Sequence, residues 1–537
     1  LLKYNSMAGK LLGDGDGIVP AERKRKHESE SSVQPSAYEK DDDSDYDDGD
    51  EFDDEDDSKI IESNKKRKHL NSALSESGLY LDTINRKVLD FDSEKICSVS
   101  LSDSNVYCCL VCGKYLKGRD RTSPAFNHSM NENHHVFISF SDRNFYILPE
   151  NYKIDEKNSN YLKDIKDNLN PHYTQEDLKA LYSLSEFSID LNNSQYRPGF
   201  IGINNINNTN DYSNVTLQVL SHCNRLRDYL LVDQKQLDKI DLFKKLSIVF
   251  KKIWLKTLFK SHISTYDFIK TVSLSSKNKF NLHKQNDPKE FLIWLLNRLN
   301  SEFMSELKLN KSPISAEFQG KLVNRTNLKI NKFWLVSLDL PSVNVFKDEN
   351  IVHQVTLNKI LSDKLKDYKI IRFPNILILH IDRFKYKNND GKVANNTIVK
   401  FPLTMELNDF NNLNNEDILI ENESKITDIR KLNSQSHKYR LIANIVHEST
   451  NFSEVDIKVT NKKKPDASGV SGTNKVSGLD SASSVSMGDT NASDHYKVQL
   501  LDKVRNEWML IDDWKFSVIE KELLFLDPSY IQIWEKY

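Results

Sequence analysis

An α+β fold accompanied by a separate small metal-binding module is what this sequence predicts, and three observations predict it. Apolar residues recur at helical spacing from about residue 215 to 306, and short β-type runs fill the chain beyond Phe318. Four of the five cysteines crowd into residues 97–112. Helices gathered ahead of strands imply segregated layers, not the strict alternation of a parallel α/β sheet.

The chain opens on charge. Residues 23–26 are Arg-Lys-Arg-Lys, residues 41–57 are almost all Asp and Glu, and residues 65–68 are Lys-Lys-Arg-Lys, so the net charge of -3 conceals strong segregation. Such blocks repel and bury nothing, which predicts a disordered tail over 1–78. The basic clusters read as nuclear-import signals or as electrostatic handles for nucleic acid. The acidic run opposes direct RNA binding, because it repels phosphate and competes for the same cations. A tail that only solubilises is the plain alternative.

Beyond the tail, 537 residues suffice for two or three domains, and 38% apolar with 28% charged residues is ordinary globular composition. Apolar runs such as Ile376 to Leu379 fall far short of the roughly 18 to 20 residues a membrane-spanning helix needs. Five cysteines in so long a chain point to a reducing compartment rather than a disulfide framework.

Residues 79–155 hold the cysteine cluster. Cys109-Leu-Val-Cys112 is followed by His128 and His134, four ligand-type side chains within 26 residues. Two thiolates from a tight turn and two imidazoles complete the tetrahedron that structural zinc prefers. The gap between the pairs is longer than in a finger that reads nucleic acid. The plain alternative is buried free cysteines beside surface histidines. Cys97 is spare and is expected to pack as a small apolar residue; His135, next to His134, is expected to point elsewhere.

Leucines and tyrosines at helical spacing between Tyr161 and Phe187 suit a helical connector over 156–196. The large domain, 197–537, begins near Arg197-Pro198-Gly199 with a loop and one long helix, because Val215, Val219, Leu220, Leu226 and Leu230 keep helical periodicity. A helical region over about 234–306 follows. Strands are expected at Trp334–Leu340, Ile376–Ile381, Tyr439–Val446, Tyr496–Leu501 and Tyr530–Trp534. Residues 461–493, rich in Ser, Gly, Asn, Asp and Lys, read as a disordered loop insertion.

Several stretches of this domain carry a family resemblance. The run from Gly202 to Gln218, Gly-Ile-Asn-Asn-Ile-Asn-Asn-Thr-Asn-Asp-Tyr-Ser-Asn-Val-Thr-Leu-Gln, resembles the nucleophile box of ubiquitin-specific proteases. Gln285-x-Asp-Pro-x-Glu290-Phe-Leu, Phe318-Gln-Gly320, Leu338-Asp-Leu-Pro341, Phe373-Pro374, Arg383-Phe384-Lys-Tyr386, Tyr439-Arg-Leu-Ile-Ala, His447, Asp494-His495-Tyr496 and Trp508 to Asp513 are similar to that family's later boxes, in order. The resemblance implies a papain-like fold with thumb, palm and fingers, and makes 79–155 a UBP-type zinc finger. It places Asp211 where the family has its cysteine nucleophile, with His495 and Asp512 in the second and third roles.

A cysteine protease needs a thiolate beside an imidazole that a third polar group orients. Here the first role is empty, since a carboxylate is a poor nucleophile toward an amide. Asp211 is expected to pair with His495 as a structural contact. Cys223 lies twelve residues on, about 18 Å along a helix, and shares a face with Val219, Leu226 and Leu230, so it reads as core. Relatives often hold a second zinc in the fingers, but no cysteine follows Cys223, which implies that this site is absent.

Charged tail, lean zinc finger and a protease-like domain with Asp at the nucleophile position together resemble one branch, the spliceosomal tri-snRNP-associated homologues of ubiquitin-specific proteases. Tyr80 to Asp92, Cys109 to Tyr115, Asn204 to Tyr212 and Leu441 to His447 carry that likeness. It implies a nuclear, non-catalytic splicing factor whose partners are snRNP proteins. The alternatives are a reader of ubiquitin or a ubiquitin-like protein, and an active deubiquitinase with another nucleophile. The finger's sparse ligand set, with Gly113-Lys114-Tyr115 where an arginine is common, argues against capture of the ubiquitin tail. Retention of His495 is read as packing or relic.

Overall fold

The computed structural model describes residues 80–154, 159–184, 186–232, 240–307, 311–324, 326, 329–341, 353–387, 391–407, 437–449 and 494–537. The charged tail over 1–78 and the insertion over 461–493 lie outside the described residues.

The first module is a five-stranded antiparallel sheet with one helix. Strands β1 (Val106–Cys109), β2 (Tyr115–Lys117), β3 (Val136–Ser139), β4 (Phe145–Ile147) and β5 (Tyr152–Lys153) lie in the order β2-β1-β3-β4-β5. Helix α1 (Pro124–Asn131) starts where Ser123 accepts from the Phe126 N–H and Pro124 supplies a preset φ. Because side chains alternate along a strand, Cys108 joins a core with Ile138, Phe145 and Ile147, while Cys109 joins Tyr107, Phe137 and Tyr146 on the opposite face.

Two helices follow, α2 (Ser159–Leu169) and α3 (Gln175–Leu181), the second opened by a reciprocal capping box between Thr174 and Asp177.

In the large domain, helices α4 (Asp211–Ser221), α5 (Asn224–Leu231), α6 (Asp241–Ile253), α7 (Tyr266–Ser275), α8 (Pro288–Leu307) and α9 (Pro313–Phe318) precede most of the sheet. The sheet comprises β6 (Val336–Asp339), β7 (Ile376–Asp382), β8 (Lys438–Ser449), β9 (Asp494–Asp502), β10 (Glu507–Asp512), β11 (Lys515–Ile519) and β12 (Ser529–Lys536). Their order is β6-β7-β12-β8-β9-β10-β11, and Thr404–Glu406 pairs with the start of β8. Ile376 to Ile381 of β7 are all buried, as expected of a strand covered on both faces. One core lies between the helices and the sheet; the other lies on the far face, under α10 (Leu357–Asp367).

One expectation is corrected. The single long helix through Val215 and Leu230 is two helices, α4 and α5, broken at His222 and Cys223. Cys223 takes an extended backbone (ψ 96°) and starts α5. His222 turns its Nδ1 back to the Gln218 carbonyl at 2.8 Å and packs its ring 4.8 Å from Phe200 and 5.4 Å from Trp254. Apolar spacing continues across the break because both helices face one core, so periodicity alone passes over it.

An acidic strap joins the two units. Asp90 pairs with Lys260 at 2.8 Å, Asp92 with Lys252 and with the Ser264 N–H, and Glu94 with Lys270 and the Tyr266 hydroxyl. Lys95 returns the contact to Asp267 at 2.9 Å. Phe259 of the large domain packs into the first module's core with Leu89 and Phe91.

Candidate functional site

Two polar centres stand out. In the first module, the β1–β2 turn brings Cys109 and Cys112 together, α1 presents His128 and the loop after α1 presents His134. Their four ligand atoms lie within 4.8 Å of one another. Cys112 Sγ is 3.3 Å from His128 Nε2, which is 3.1 Å from His134 Nδ1. Bonds of about 2.3 Å to sulfur and 2.0–2.1 Å to nitrogen, set tetrahedrally, need edges of roughly 3.6 Å and 3.3 Å. The two measured edges lie within about 0.3 Å of these, so the donor set fits such an ion. The hydrogen bond from Cys109 lowers Cys112, and a thiolate is what a metal takes.

The neighbours are occupied elsewhere. His135 hydrogen-bonds the Leu148 carbonyl at 2.7 Å and the Asn133 side chain at 2.8 Å. The buried Cys97 sulfur accepts from the Ser100 and Lys117 N–H groups at 3.4 and 3.3 Å. Gly113 follows Cys112 with φ +77°, and a Cβ there would sit 2.5 Å from the Val88 carbonyl, so the turn requires glycine.

The second centre joins three elements of the large domain. Asp211 is the first residue of α4 and is 2% exposed. One carboxylate oxygen accepts from His495 Nδ1 at 3.0 Å and the Tyr496 N–H at 3.1 Å; the other accepts from the Tyr212 N–H at 2.6 Å and from the Gln285 amide. Beyond the imidazole, His495 Nε2 meets Asp512 Oδ1 at 2.8 Å, and Lys497 Nζ lies 3.3 Å from the other Asp512 oxygen. Strand β9 supplies His495, and β10 supplies Asp512 at its end. The loop after β10 is pinned by the Ile203 N–H on the Asp513 carbonyl at 3.0 Å. A Cβ on Gly202 would come within 2.4 Å of the Trp514 backbone. Glycine therefore lets the segment before α4 approach the loop that carries Asp512.

The structure thus gathers Asp211, His495 and Asp512, the three residues the sequence put in one constellation. Sequence reasoning did not identify Gln285, the Tyr496 N–H or Lys497 as their partners. Gln285 had a signal, since it opens a box already singled out.

Electrostatics decide what this centre can do. Asp211 first, then Asp512, hold His495 as a cation and raise it to about 10. Both ring N–H groups are spent on carboxylates, so near neutral pH no lone pair is free to take a proton, which a general base must do. His495 in turn lowers Asp512. Cys223 is remote from this arrangement: fully buried, its thiol facing the Val219 carbonyl at 3.5 Å, it is pushed well above its ordinary value by burial.

Comparison with known proteins places both units. Residues 97–159 match the family described as Zn-finger in ubiquitin-hydrolases and other protein, and residues 201–456 match the family described as Ubiquitin carboxyl-terminal hydrolase. The chain is 33% identical to the probable mRNA-splicing protein ubp10 of Schizosaccharomyces pombe, over 89% of this chain and 92% of that one. It is 32% identical to the pre-mRNA-splicing factor SAD1 of Saccharomyces cerevisiae, over 89% of this chain and all of that one. Identity to ubiquitin carboxyl-terminal hydrolase 39 of Homo sapiens is 31%, covering 85% of this chain and 79% of the human protein. A crystal structure of an essential yeast splicing factor superposes with a TM-score of 0.66 at 32% identity, over 85% of this chain and 99% of that one. On this similarity across both units, the chain belongs to the splicing-factor family of ubiquitin carboxyl-terminal hydrolase homologues.

Proposed function

We propose that this protein is a nuclear, non-catalytic pre-mRNA-splicing factor that supports assembly or maintenance of the tri-snRNP, with its hydrolase-like domain serving as a scaffold for snRNP proteins. The observation that carries this reading is the closed Asp211–His495–Asp512 chain of charges. A cysteine peptidase needs a thiolate whose paired imidazole can pass its proton on; here a carboxylate fills the first place and, with Asp512, holds the imidazole in its protonated form. What remains is a rigid, preformed surface.

Cys109, Cys112, His128 and His134 are proposed to hold one structural zinc ion, whose chemistry is to cross-link the β1–β2 turn to α1 and the loop beyond it. With all four positions taken by protein, no open position is left for catalysis.

The test is depletion of this protein from a splicing-competent nuclear extract, followed by native-gel detection of the tri-snRNP and add-back of wild type or Asp211→Asn. Loss of the particle, restored by both proteins, supports a scaffold with no chemical role for Asp211. An unchanged particle removes the support for this reading and favours a ubiquitin reader. Ubiquitin carrying a thiol-reactive C-terminus is expected to label neither protein; labelling at any cysteine would overturn the non-catalytic assignment.

A further inference from the structure

A small sheet of the large domain, called here the finger sheet and separate from the zinc-finger module, carries an arrangement that the proposed function does not use. Gly320–Asn324 is the central strand of a three-stranded antiparallel sheet, with Ile330–Phe333 on one side and Tyr368–Arg372 on the other. The register sets Lys321 directly opposite Lys332 on one neighbour and directly opposite Arg372 on the other. Because the register shifts by one residue between Lys321 and Leu322, Arg372 joins Lys321 and Lys332 in a row across the sheet, on the face turned away from the core that takes Leu322, Phe333 and Ile370. Like charges directly opposite one another are unfavourable, and sheets ordinarily set opposite charges or neutral pairs there.

Among the described residues no ion pair joins Lys321, Lys332 or Arg372 to an acid. Elsewhere lysines of the structure find carboxylates readily, as Lys252, Lys260 and Lys270 do in the strap between the modules. The row is a set of like charges with no carboxylate paired to it among the described residues.

The chain itself contains an acidic segment of matching chemistry. Residues 41–57 hold 13 Asp and Glu; taking these from a net charge of -3 leaves +10 for the rest of the protein. Between Asp57 and the first described residue, Tyr80, lie 22 residues, enough to extend about 75 Å. Val323 and the 53% exposed Ile330 share the face with the cations, and Tyr46 and Phe52 interrupt the acids, so the two surfaces also match in apolar content.

We propose that the acidic segment 41–57 docks on the finger face formed by Lys321, Lys332 and Arg372. The tail then shields this face, and any acidic partner must displace it. The inference is independent of the splicing assignment, because it rests on register and charge alone.

Zero-length carbodiimide cross-linking of the full chain, read by mass spectrometry on the monomer, tests it. The expected result is cross-links from residues 41–57 to Lys321 and Lys332. Raising the salt from about 50 mM to about 500 mM, where the Debye length falls to about 4 Å, should reduce them at least about fivefold. The variant Lys321→Ser/Lys332→Ser/Arg372→Ser, folded by circular dichroism, should release the acidic segment, seen as faster proteolysis between residues 41 and 79 than in wild type. Cross-links confined to the basic clusters at 23–26 and 65–68 would overturn the proposal. So would cross-links found only between differently isotope-labelled copies, which assign the face to a second chain. Equal proteolysis of variant and wild type, or tighter binding of an oligouridine than of the isolated 41–57 peptide to a chain lacking residues 1–57, would likewise overturn it.

Discussion

The metal-ligand cluster of the first module and the Asp–His–Asp centre of the large domain are both small sets of polar groups brought together from separate elements, yet they resolve their charge in opposite ways. Cys109, Cys112, His128 and His134 converge with no cation of their own and leave the tetrahedral spacing that an external ion fills. Asp211, His495 and Asp512 contain their own cation, with Lys497 and the donors on Asp211 completing the neutralisation. The first centre is arranged to take a cation from outside, as proposed above; the second has closed on itself. Two carboxylates with a histidine hydrogen-bonded between them thus form a structural clasp.

The sharpest way to break this contrast is to remove the proposed ion. Apparent zinc affinities of such sites amount to about 10–16 kcal/mol of coupled folding energy, so a strong chelator or His128→Ala is expected to abolish stoichiometric zinc and unfold residues 80–154. Atomic absorption and circular dichroism check both. Retention of a folded module without zinc would erase the difference between the two centres.

Next in size is Asp211→Ala. It strips a 2% exposed carboxylate from the His495 ring and from three other donors. Breaking a buried pair by removing one partner costs roughly 3–5 kcal/mol, and a loss at the low end of that range is expected because His495 is partly exposed. Denaturant unfolding of the large domain measures it. Asp211→Asn keeps the shape and should lose less.

The same clasp gives a pH dependence. His495 is raised in the folded protein to about 10 from an ordinary 6.5. Its contribution is therefore complete below about pH 6.5 and fades as pH rises through about 10. Wild type should lose stability over that window relative to Asp211→Ala, whose curve is expected to be flatter. Parallel curves would separate the histidine from the clasp.

The smallest effect belongs to His135→Ala, which removes bonds to Leu148 and Asn133 but no metal ligand. A cost of about 1 kcal/mol with zinc content unchanged is expected, measured beside His128→Ala.

Much of both centres was legible in the chain. The Cys-x2-Cys pair and its two histidines are read from spacing, and Asp211, His495 and Asp512 follow from boxes whose order survives although one letter has changed. The five expected strands all lie within or overlap β6, β7, β8, β9 and β12. Less was legible where structure depends on distant partners. The break at His222 is set by Phe200 and Trp254, and the strap of Asp90, Asp92 and Glu94 finds its lysines some 160 to 176 residues away. Strand β11 was missed because its pattern of largely exposed residues offers little alternation to read. Helix α10 sits among strands, where the segregation of helices from strands gave no warning of it.

The protonation state of His495 decides whether the large domain holds a closed clasp. Nitrogen NMR of the histidine-labelled protein, assigned by loss of the signal in His495→Gln, reads it directly. A doubly protonated ring through pH 8 that titrates near about 10, and drops toward or below 6.5 in Asp211→Asn, is the expected result. A ring already neutral at pH 7 in wild type would contradict the clasp and return a general base to the site.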